Sequence, residues 1–570
     1  MKEQIIDLVN MHFPNDKQIR PEQMEALIKC SEAYIGGKQH FIAELPTGVG
    51  KSLIAITFAR MISQLDFIKN SKKPHQVIVS TKTKMLQDQY MSEFKDLAVL
   101  KGKSNYKCVT PAISPNTRKD LKLGDYECRI AVKDTSTRNE CSVECPYIKA
   151  ANKFMNSDIR IVNNALLMNC NICSVKANNF FERVKHGKPV ENIKIIDECH
   201  QLQYDMIEAS SLTLNLKEVS QLLDQMIELS IPHLDFSKAL EDLVKVLSSI
   251  RGVKSLPKEL TEFRRVMLSL VEDLNKSLSE GTLSKGGFGV FTKISDILLK
   301  VDTLDYTLQY VIYGESIYVE GDDYASEKEF SHNVLYIKPL SASAAYNILM
   351  ASCDFVLHLS ATVGDVTSYA DEIGLPYGTY DFYRCDSPFK AENRKIYYKP
   401  CVKFTFANKD TAPAKVASVL DEIIASRPNE RLLVHVSAYQ QAHSIKENSK
   451  NEYSIVIPKN SEEVSKFIDT GAPMIGPTLY EGIDFKDERC RINVLAKVQF
   501  PNLGDFYTEC KMKYVQGWYE RETLMKFIQA YGRGVRHKDD YAEFIILDES
   551  FGRLRNSKHI PMWIKNAFVN

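Results

Sequence analysis

The sequence predicts an open α/β fold, and three features carry the prediction. "ELPTGVGKSLIAITFA" (Glu44–Ala59) passes from a turn of small residues into a helix with an apolar face. "IKIIDECH" (Ile193–His200) is a short apolar run ending in two adjacent acids, the mark of a buried strand with carboxylates at its carboxyl edge. Further apolar runs follow the same pattern at "VIVSTKTKMLQDQ" (Val77–Gln89), "FVLHLSATVGD" (Phe355–Asp365), "RLLVHVSAYQQA" (Arg431–Ala442) and "RINVLAKVQFP" (Arg491–Pro501). A chain of 570 residues exceeds a single core, so three or four domains are expected.

Hydrophobic residues make up 44% and charged residues 26%, a globular balance that argues against wholesale disorder. The opening "MKEQIIDLVNMHFPNDKQ" lacks the apolar run of a secretion signal. No stretch approaches the roughly 18 apolar residues of a membrane span. A soluble cytoplasmic protein with no membrane partner is expected. Lys+Arg and Asp+Glu both total 73, so net charge neither supports nor excludes a nucleic-acid partner. A local basic excess does occur between Lys95 and Arg138, which on charge alone reads as a solvated surface loop.

In the phosphate-loop segment, Gly48 and Gly50 allow successive N–H groups to converge on one concavity at a helix start, where phosphate settles. Thr47 and Val49 complete the turn, Lys51 can reach the β- and γ-phosphates, and the Ser52 hydroxyl can ligate magnesium. Leu45 stands where the strict pattern has its first glycine. At the end of the acid-tipped strand, Asp197 can hold the same magnesium and Glu198 can orient or deprotonate an attacking water. Together these residues point to ATP hydrolysis. Near the C-terminus, "FIQAYGRGVRHKDDYAEFIILD" (Phe527–Asp548) sets Arg533 and Arg536 three apart, predicted on one helical face with Gln529 one turn earlier. Such arginines can reach across an interface to a γ-phosphate.

Thirteen cysteines without a secretion signal suggest reduced thiols or metal ligands. Cys108, Cys128, Cys141 and Cys145 cluster in a stretch without helical or strand periodicity, which a metal site could cross-link. Spacings of nineteen, twelve and three intervening residues are unlike paired zinc knuckles, although zinc remains the rival ligand. Cys170 and Cys173 form the single Cys-x-x-Cys pair and read as core thiols.

The ordered series Pro-Thr-Gly-x-Gly-Lys-Ser, Asp-Glu-x-His, Ser-Ala-Thr and Gln-x-x-Gly-Arg-x-x-Arg resembles superfamily 2 helicases and, within them, the XPD/DinG family. "IRPEQMEAL" (Ile19–Leu27) is similar to that family's first Arg-x-x-Gln element, "DSPF" (Asp386–Phe389) to the start of its second motor domain, and "TLYEGIDF" (Thr478–Phe485) to its motif V. Cys199 takes the place of the alanine often found between the acids and His200. The resemblance implies two RecA-like motor domains with ATP between them, the first over residues 1–100, 156–200 and 337–366 and the second over 367–570. It implies an iron–sulfur domain at 101–155, with a 4Fe-4S cluster on Cys108, Cys128, Cys141 and Cys145. It also implies a helical Arch domain at 201–336, where Leu240, Leu243, Val244, Leu247 and Ile250 keep helical spacing and "SKGGFGVF" is expected to break the helices near residue 287.

Carried over residue by residue, Gln23 would help read the nucleotide, and Asp484, Arg533 and Arg536 would be the second domain's contribution. His200, Thr362 and Gln529 would couple the nucleotide to domain movement, and Thr81 and Thr478 would touch the nucleic-acid backbone. The implied function is ATP-dependent 5′-to-3′ translocation on single-stranded DNA by a monomer, with unwinding of forked duplex DNA in repair, recombination or replication. Two other readings stand beside it: a nucleic-acid-stimulated ATPase that remodels complexes without processive unwinding, and a non-catalytic DNA-binding assembly subunit.

Overall fold

A computed structural model describes residues 1–70, 74–102, 105–106, 145–168, 191–317, 332–350, 353–459, 463–464, 468, 470–477, 479 and 487–569. The first lobe begins with β1 (His40–Glu44), β2 (His75–Thr81), β3 (Ala98–Val99), β4 (Ile159–Asn163) and β5 (Glu191–Asp197). An insertion then supplies β6 (Leu212–Asn215), β7 (Gly252–Lys254), β8 (Tyr310–Ile317) and β9 (His332–Pro339). The chain returns to the first lobe with β10 (Phe355–Ser360) and β11 (Tyr380–Arg384). A second lobe holds β12 (Ile396–Val402), β13 (Leu432–His435), β14 (Met474–Gly476), β15 (Ile492–Leu495) and β16 (Glu543–Asp548).

The first sheet has the order β11-β1-β10-β5-β2-β4-β3, and every pairing in it is parallel. Both faces of such a sheet must be covered, which is why its strands read as apolar runs rather than alternating ones. Phe355, Leu357 and Leu359 of β10 point into the core shared with the helices Lys2–His12, Pro21–Ile35 and Lys51–Lys69, while Val356 joins the opposite core. β1 divides in the same way, Phe41 and Ala43 to one side and Ile42 to the other. The second sheet, order β12-β16-β15-β13-β14, is also parallel throughout. The α/β class is therefore the observed one, with two parallel sheets. β11 lies past residue 366, so the first sheet extends beyond the division expected from sequence.

The insertion differs from the purely helical expectation. Four helices, Leu216–Glu228, Leu234–Ser248, Glu259–Ser279 and Lys285–Asp302, pack on one face of an antiparallel sheet of order β6-β9-β8-β7. The helical spacing at Leu240, Leu243 and Leu247 is real and buried, but it hides the strands beside it. The glycine-rich segment near residue 287 opens a helix rather than breaking one, because the Ser284 hydroxyl caps it by accepting the Gly287 N–H at 3.0 Å. Val311 and Tyr313, on the sheet's other face, pack with Phe506, Tyr507 and Cys510 of the second-lobe helix Phe506–Tyr514.

Candidate nucleotide cleft between the lobes

The carboxyl ends of β1, β5 and β10 meet the second lobe across a cleft. Thr47, Gly48, Gly50, Lys51, Ser52, Asp197, Glu198, His200 and Thr362 line it from the first lobe, and Gln529, Arg533 and Arg536 from the second. Such an edge is where open α/β sheets collect ligands.

The phosphate loop follows β1 and ends at the helix Lys51–Lys69, with Gly50 as its N-cap. Gly48 (φ 84°) and Gly50 (φ 89°) both sit in the left-handed region, where a side chain would be strained. Space forbids one as well: a Cβ on Gly48 would lie 2.7 Å from the Phe389 ring, and one on Gly50 would lie 2.6 Å from Gln23 Nε2. Val49 is fully buried, and its carbonyl accepts a hydrogen bond from Gln23 Nε2 at 2.7 Å. Gln23 Oε1 in turn accepts the Arg20 N–H at 2.9 Å. Both ends of that amide are spent on backbone and the side chain is 2% exposed, so Gln23 braces the loop and does not face the cleft.

Lys51 Nζ lies 3.3 Å from Glu198 Oε1. Glu198 holds φ 54°, a left-handed conformation for a residue with a side chain, which costs about 1–3 kcal/mol and is retained where the surroundings over-determine it. Burial opposes charge on Glu198, but the cationic Lys51 and Arg533 act against it and its carboxyl lies below the usual range. Its neighbour Asp197 behaves oppositely. Burial, reinforced by the Glu198 charge, pushes Asp197 up to about 6. Asp197 Oδ1 accepts the Glu198 N–H at 3.0 Å, and Oδ2 accepts the Tyr90 hydroxyl at 3.0 Å. Ser52 Oγ donates to Glu93 Oε2 at 3.0 Å.

His200 joins the lobes. Its Nε2 faces the Gln529 amide nitrogen at 2.6 Å and the Gln201 amide nitrogen at 2.9 Å, while Nδ1 lies 2.8 Å from Ser360 Oγ. Burial pushes His200 down to about 4, so the ring is neutral, and these partners assign the proton to Nδ1. Ser360 Oγ then accepts the Thr362 N–H at 3.0 Å. One chain of hydrogen bonds thus runs from the second lobe, through His200 two residues after the acid pair, to the loop after β10. Lys82 Nζ adds a further strut to Gln201 Oε1 at 2.7 Å.

Arg533 and Arg536 reach the cleft, but not from a helix face as expected. The helix Trp518–Tyr531 stops at Gly532, and both arginines leave from the turn beyond it. A Cβ on Gly532 would stand 2.9 Å from Thr47 Oγ1, so close approach of the turn to the phosphate loop selects the glycine. Thr81 also departs from expectation. It is fully buried, and its hydroxyl turns inward to the Thr83 carbonyl at 3.2 Å, leaving nothing to offer a nucleic-acid backbone in this conformation. Asp484 and Thr478 lie outside the described residues, as do Cys108, Cys128, Cys141, Cys170 and Cys173. Cys145 is buried at the N-cap of the helix Pro146–Asn156.

Several contributors were not singled out from sequence, although Glu44 and Phe389 lie within quoted motifs. Glu44, 1% exposed, accepts the N–H groups of Val363 (2.9 Å) and Gly364 (2.8 Å) and pairs with Arg384 at 2.8 Å, fixing the loop after β10. Phe389 covers Gly48, and Tyr90 and Glu93 reach the candidate metal ligands.

The donor set suits a magnesium nucleotide. A backbone cradle at a helix N-terminus suits phosphates, and a carboxylate and a hydroxyl beside it are hard oxygen donors. For a 4Fe-4S cluster only Cys145 is among the described residues, so the fit of four thiolates rests on sequence alone.

Known proteins share this design. Residues 420–567 match the model of a helicase C-terminal domain, and residues 16–230 that of the type III restriction enzyme res subunit. The ATP-dependent DNA helicase chl1 of Schizosaccharomyces pombe is 32% identical over 106 residues, covering 16% of this chain and 13% of that protein. The ATP-dependent DNA helicase YoaA of Escherichia coli is 22% identical over 93% of this chain and 91% of its own length. A solved XPD helicase superposes with a TM-score of 0.55 at 16% identity, covering 96% of this chain and 98% of the other. Xpd4 of S. tokodaii superposes with a TM-score of 0.56 at 15% identity, covering 97% and 100%. Two parallel sheets closing on a phosphate loop and an Asp-Glu pair give the chain the same overall fold as these XPD structures. The chain is thus similar in sequence to the ATP-dependent DNA helicases YoaA, along most of its length, and chl1, over a short stretch, and it carries a match to a helicase C-terminal domain. Among the described residues no helix is long and apolar enough to cross a membrane.

Proposed function

We propose that this protein is an ATP-dependent DNA helicase that moves 5′ to 3′ on single-stranded DNA and opens forked duplex DNA. The observation that carries the reading is the hydrogen-bonded chain Gln529–His200–Ser360–Thr362, which ties the second lobe to the floor of the nucleotide cleft. Magnesium, when bound with the nucleotide at Ser52 and Asp197, supplies charge neutralisation on the phosphates. The backbone of Gly48–Ser52 holds the phosphates in the cradle. Lys51 is freed from Glu198 to pair with them, and Glu198 then accepts a hydrogen bond from the attacking water. Arg533 and Arg536 approach from the second lobe and stabilise charge that develops on the transferred group. Closing the cleft around nucleotide and reopening it after hydrolysis shifts the grip on the strand, and loss of the Gln529–His200 contact would uncouple the two events.

In this reading the protein acts as a monomer in repair, recombination or replication, and Cys108, Cys128, Cys141 and Cys145 hold a 4Fe-4S cluster in a domain beside the first lobe. Asp484 completes the second lobe's share of the site and Thr478 meets the DNA backbone. Strand displacement on forks with a 5′ tail, a 3′ tail or an RNA tail tests it. Displacement confined to the 5′ DNA tail is the expected result, and hydrolysis without displacement on any fork would instead favour a remodelling translocase. Iron and acid-labile sulfide on protein purified without oxygen test the cluster. About four of each per chain, lost in Cys141→Ser, is expected, and zinc in their place would overturn the cluster assignment.

A further inference from the structure

The segment after β2 makes three separate contacts with the cleft, none of which the motif chemistry requires. Lys82 Nζ reaches Gln201 Oε1 at 2.7 Å, beside His200. Thr83 caps the helix Lys84–Glu93, its hydroxyl accepting the Leu86 N–H at 3.2 Å. From the buried side of that helix Tyr90 donates to Asp197 Oδ2 at 3.0 Å, and from its last turn Glu93 accepts from Ser52 Oγ at 3.0 Å. One short helix therefore holds both of the oxygen ligands assigned to magnesium. Tyr90 is 1% exposed and packs at 6.3 Å against Phe94, which leaves its hydroxyl aimed in one direction.

We propose that Tyr90 is a positioning residue for the magnesium-holding carboxylate of Asp197, and that the Lys84–Glu93 helix ties the Lys82–Thr83 loop to the metal site. The proposal rests on the reading of the cleft as a magnesium-nucleotide site. A hydroxyl bonded to one carboxylate oxygen fixes the rotation of the group, so the remaining oxygen lone pairs are presented in one orientation and the cost of ordering them is met before the metal arrives. The adjacent Ser52–Glu93 bond makes the same helix sensitive to whether the Ser52 hydroxyl is engaged by metal. The position of the Lys82–Thr83 loop and metal binding at Asp197 and Ser52 are then linked through this helix.

The test uses the full-length protein, ADP, and manganese(II) as a paramagnetic probe. Electron paramagnetic resonance gives the manganese affinity of the protein–ADP complex for the wild type and for Tyr90→Phe. Metal-free ADP binding in chelator and the circular-dichroism melt report whether the variant keeps its fold and cradle. Retention of the ring against Phe94 predicts that both survive. The expected result is a manganese affinity about 10-fold weaker in Tyr90→Phe, with ADP binding in chelator unchanged. Equal manganese affinities in a folded variant would overturn the proposal while leaving the nucleotide site standing. No ADP-dependent manganese signal in the wild type would overturn the reading of the cleft, and the proposal with it. As a second variant, Tyr90→Met removes the hydroxyl with a different apolar shape and must show the same weakening. If only one of the two weakens, packing rather than the hydrogen bond is responsible and the proposal fails.

Discussion

On the first-lobe side of the cleft, each functional group is held by neighbours from the same lobe. Asp197 is fixed by Tyr90 and by the Glu198 amide, Lys51 by Glu198, and the loop after β10 by Glu44, itself clamped by Arg384. On the second-lobe side, Arg533 and Arg536 stand on a turn, and the position of that turn depends on contacts across the cleft. Gln529 meets His200, Gly532 presses on Thr47, Arg521 pairs with Glu372 at 2.9 Å, and Tyr204 donates to Glu522. The first wall is built before ligand arrives, whereas the second is placed by the closure of the lobes. Nucleotide binding should therefore depend mainly on the first wall and rate acceleration on both.

That division can be broken by substitution. The largest effect is expected on the second wall: Arg533→Ala and Arg536→Ala should each lower kcat for ATP hydrolysis by about 1000-fold, while ADP affinity, measured by fluorescence titration, stays near the wild-type value. A large loss of ADP affinity in both would place the arginines on the binding side and blur the division. On the first wall, Lys51→Ala should lower kcat/KM by about 100- to 1000-fold, and here ADP affinity should fall as well. Smaller still is the coupling contact. Gln529→Ala removes one neutral hydrogen bond between the lobes, so the stimulation of hydrolysis by single-stranded DNA should drop by about 5- to 10-fold, with hydrolysis in its absence little changed.

The smallest expected effect concerns how the walls stay together. Burial pushes Glu522 up to about 8, with only Lys526 acting against it, so the group is protonated at neutral pH where it meets Tyr204. A carboxyl whose folded pKa is raised stabilises the folded form fully below its unfolded value, and that contribution is lost as pH rises toward about 8. Wild-type Tm should fall by a few degrees more than that of Glu522→Gln between mildly acidic pH and a pH above 8. Parallel Tm curves for the two proteins would contradict this.

The same contrast explains what the sequence disclosed. First-wall chemistry was legible because the phosphate loop and the Asp197–Glu198 pair each lie within a few consecutive residues, where backbone geometry and spacing dictate function. The parallel sheets were legible because strands buried on both faces leave continuous apolar runs. Arg533 and Arg536 were recognised as residues but misplaced as structure, since Gly532 answers to the nearby Thr47 and not to its own helix. Gln23 and Thr81 carry the family's motif spacing, yet hydrogen bonds to backbone carbonyls, that of Val49 for Gln23 and that of the nearby Thr83 for Thr81, hold both side chains within the first lobe. The insertion's strands were hidden because strong leucine periodicity in the flanking helices masked short segments such as β6 and β7. Tyr90 was invisible for a simpler reason: its partner lies 107 positions away.

The most direct test of the whole account is the rate of ATP hydrolysis with and without single-stranded DNA, compared between the wild type and Lys51→Ala. The account predicts a wild-type rate that rises several-fold or more with DNA and a variant rate near background in both conditions. Hydrolysis indifferent to DNA, or surviving in Lys51→Ala, would contradict it.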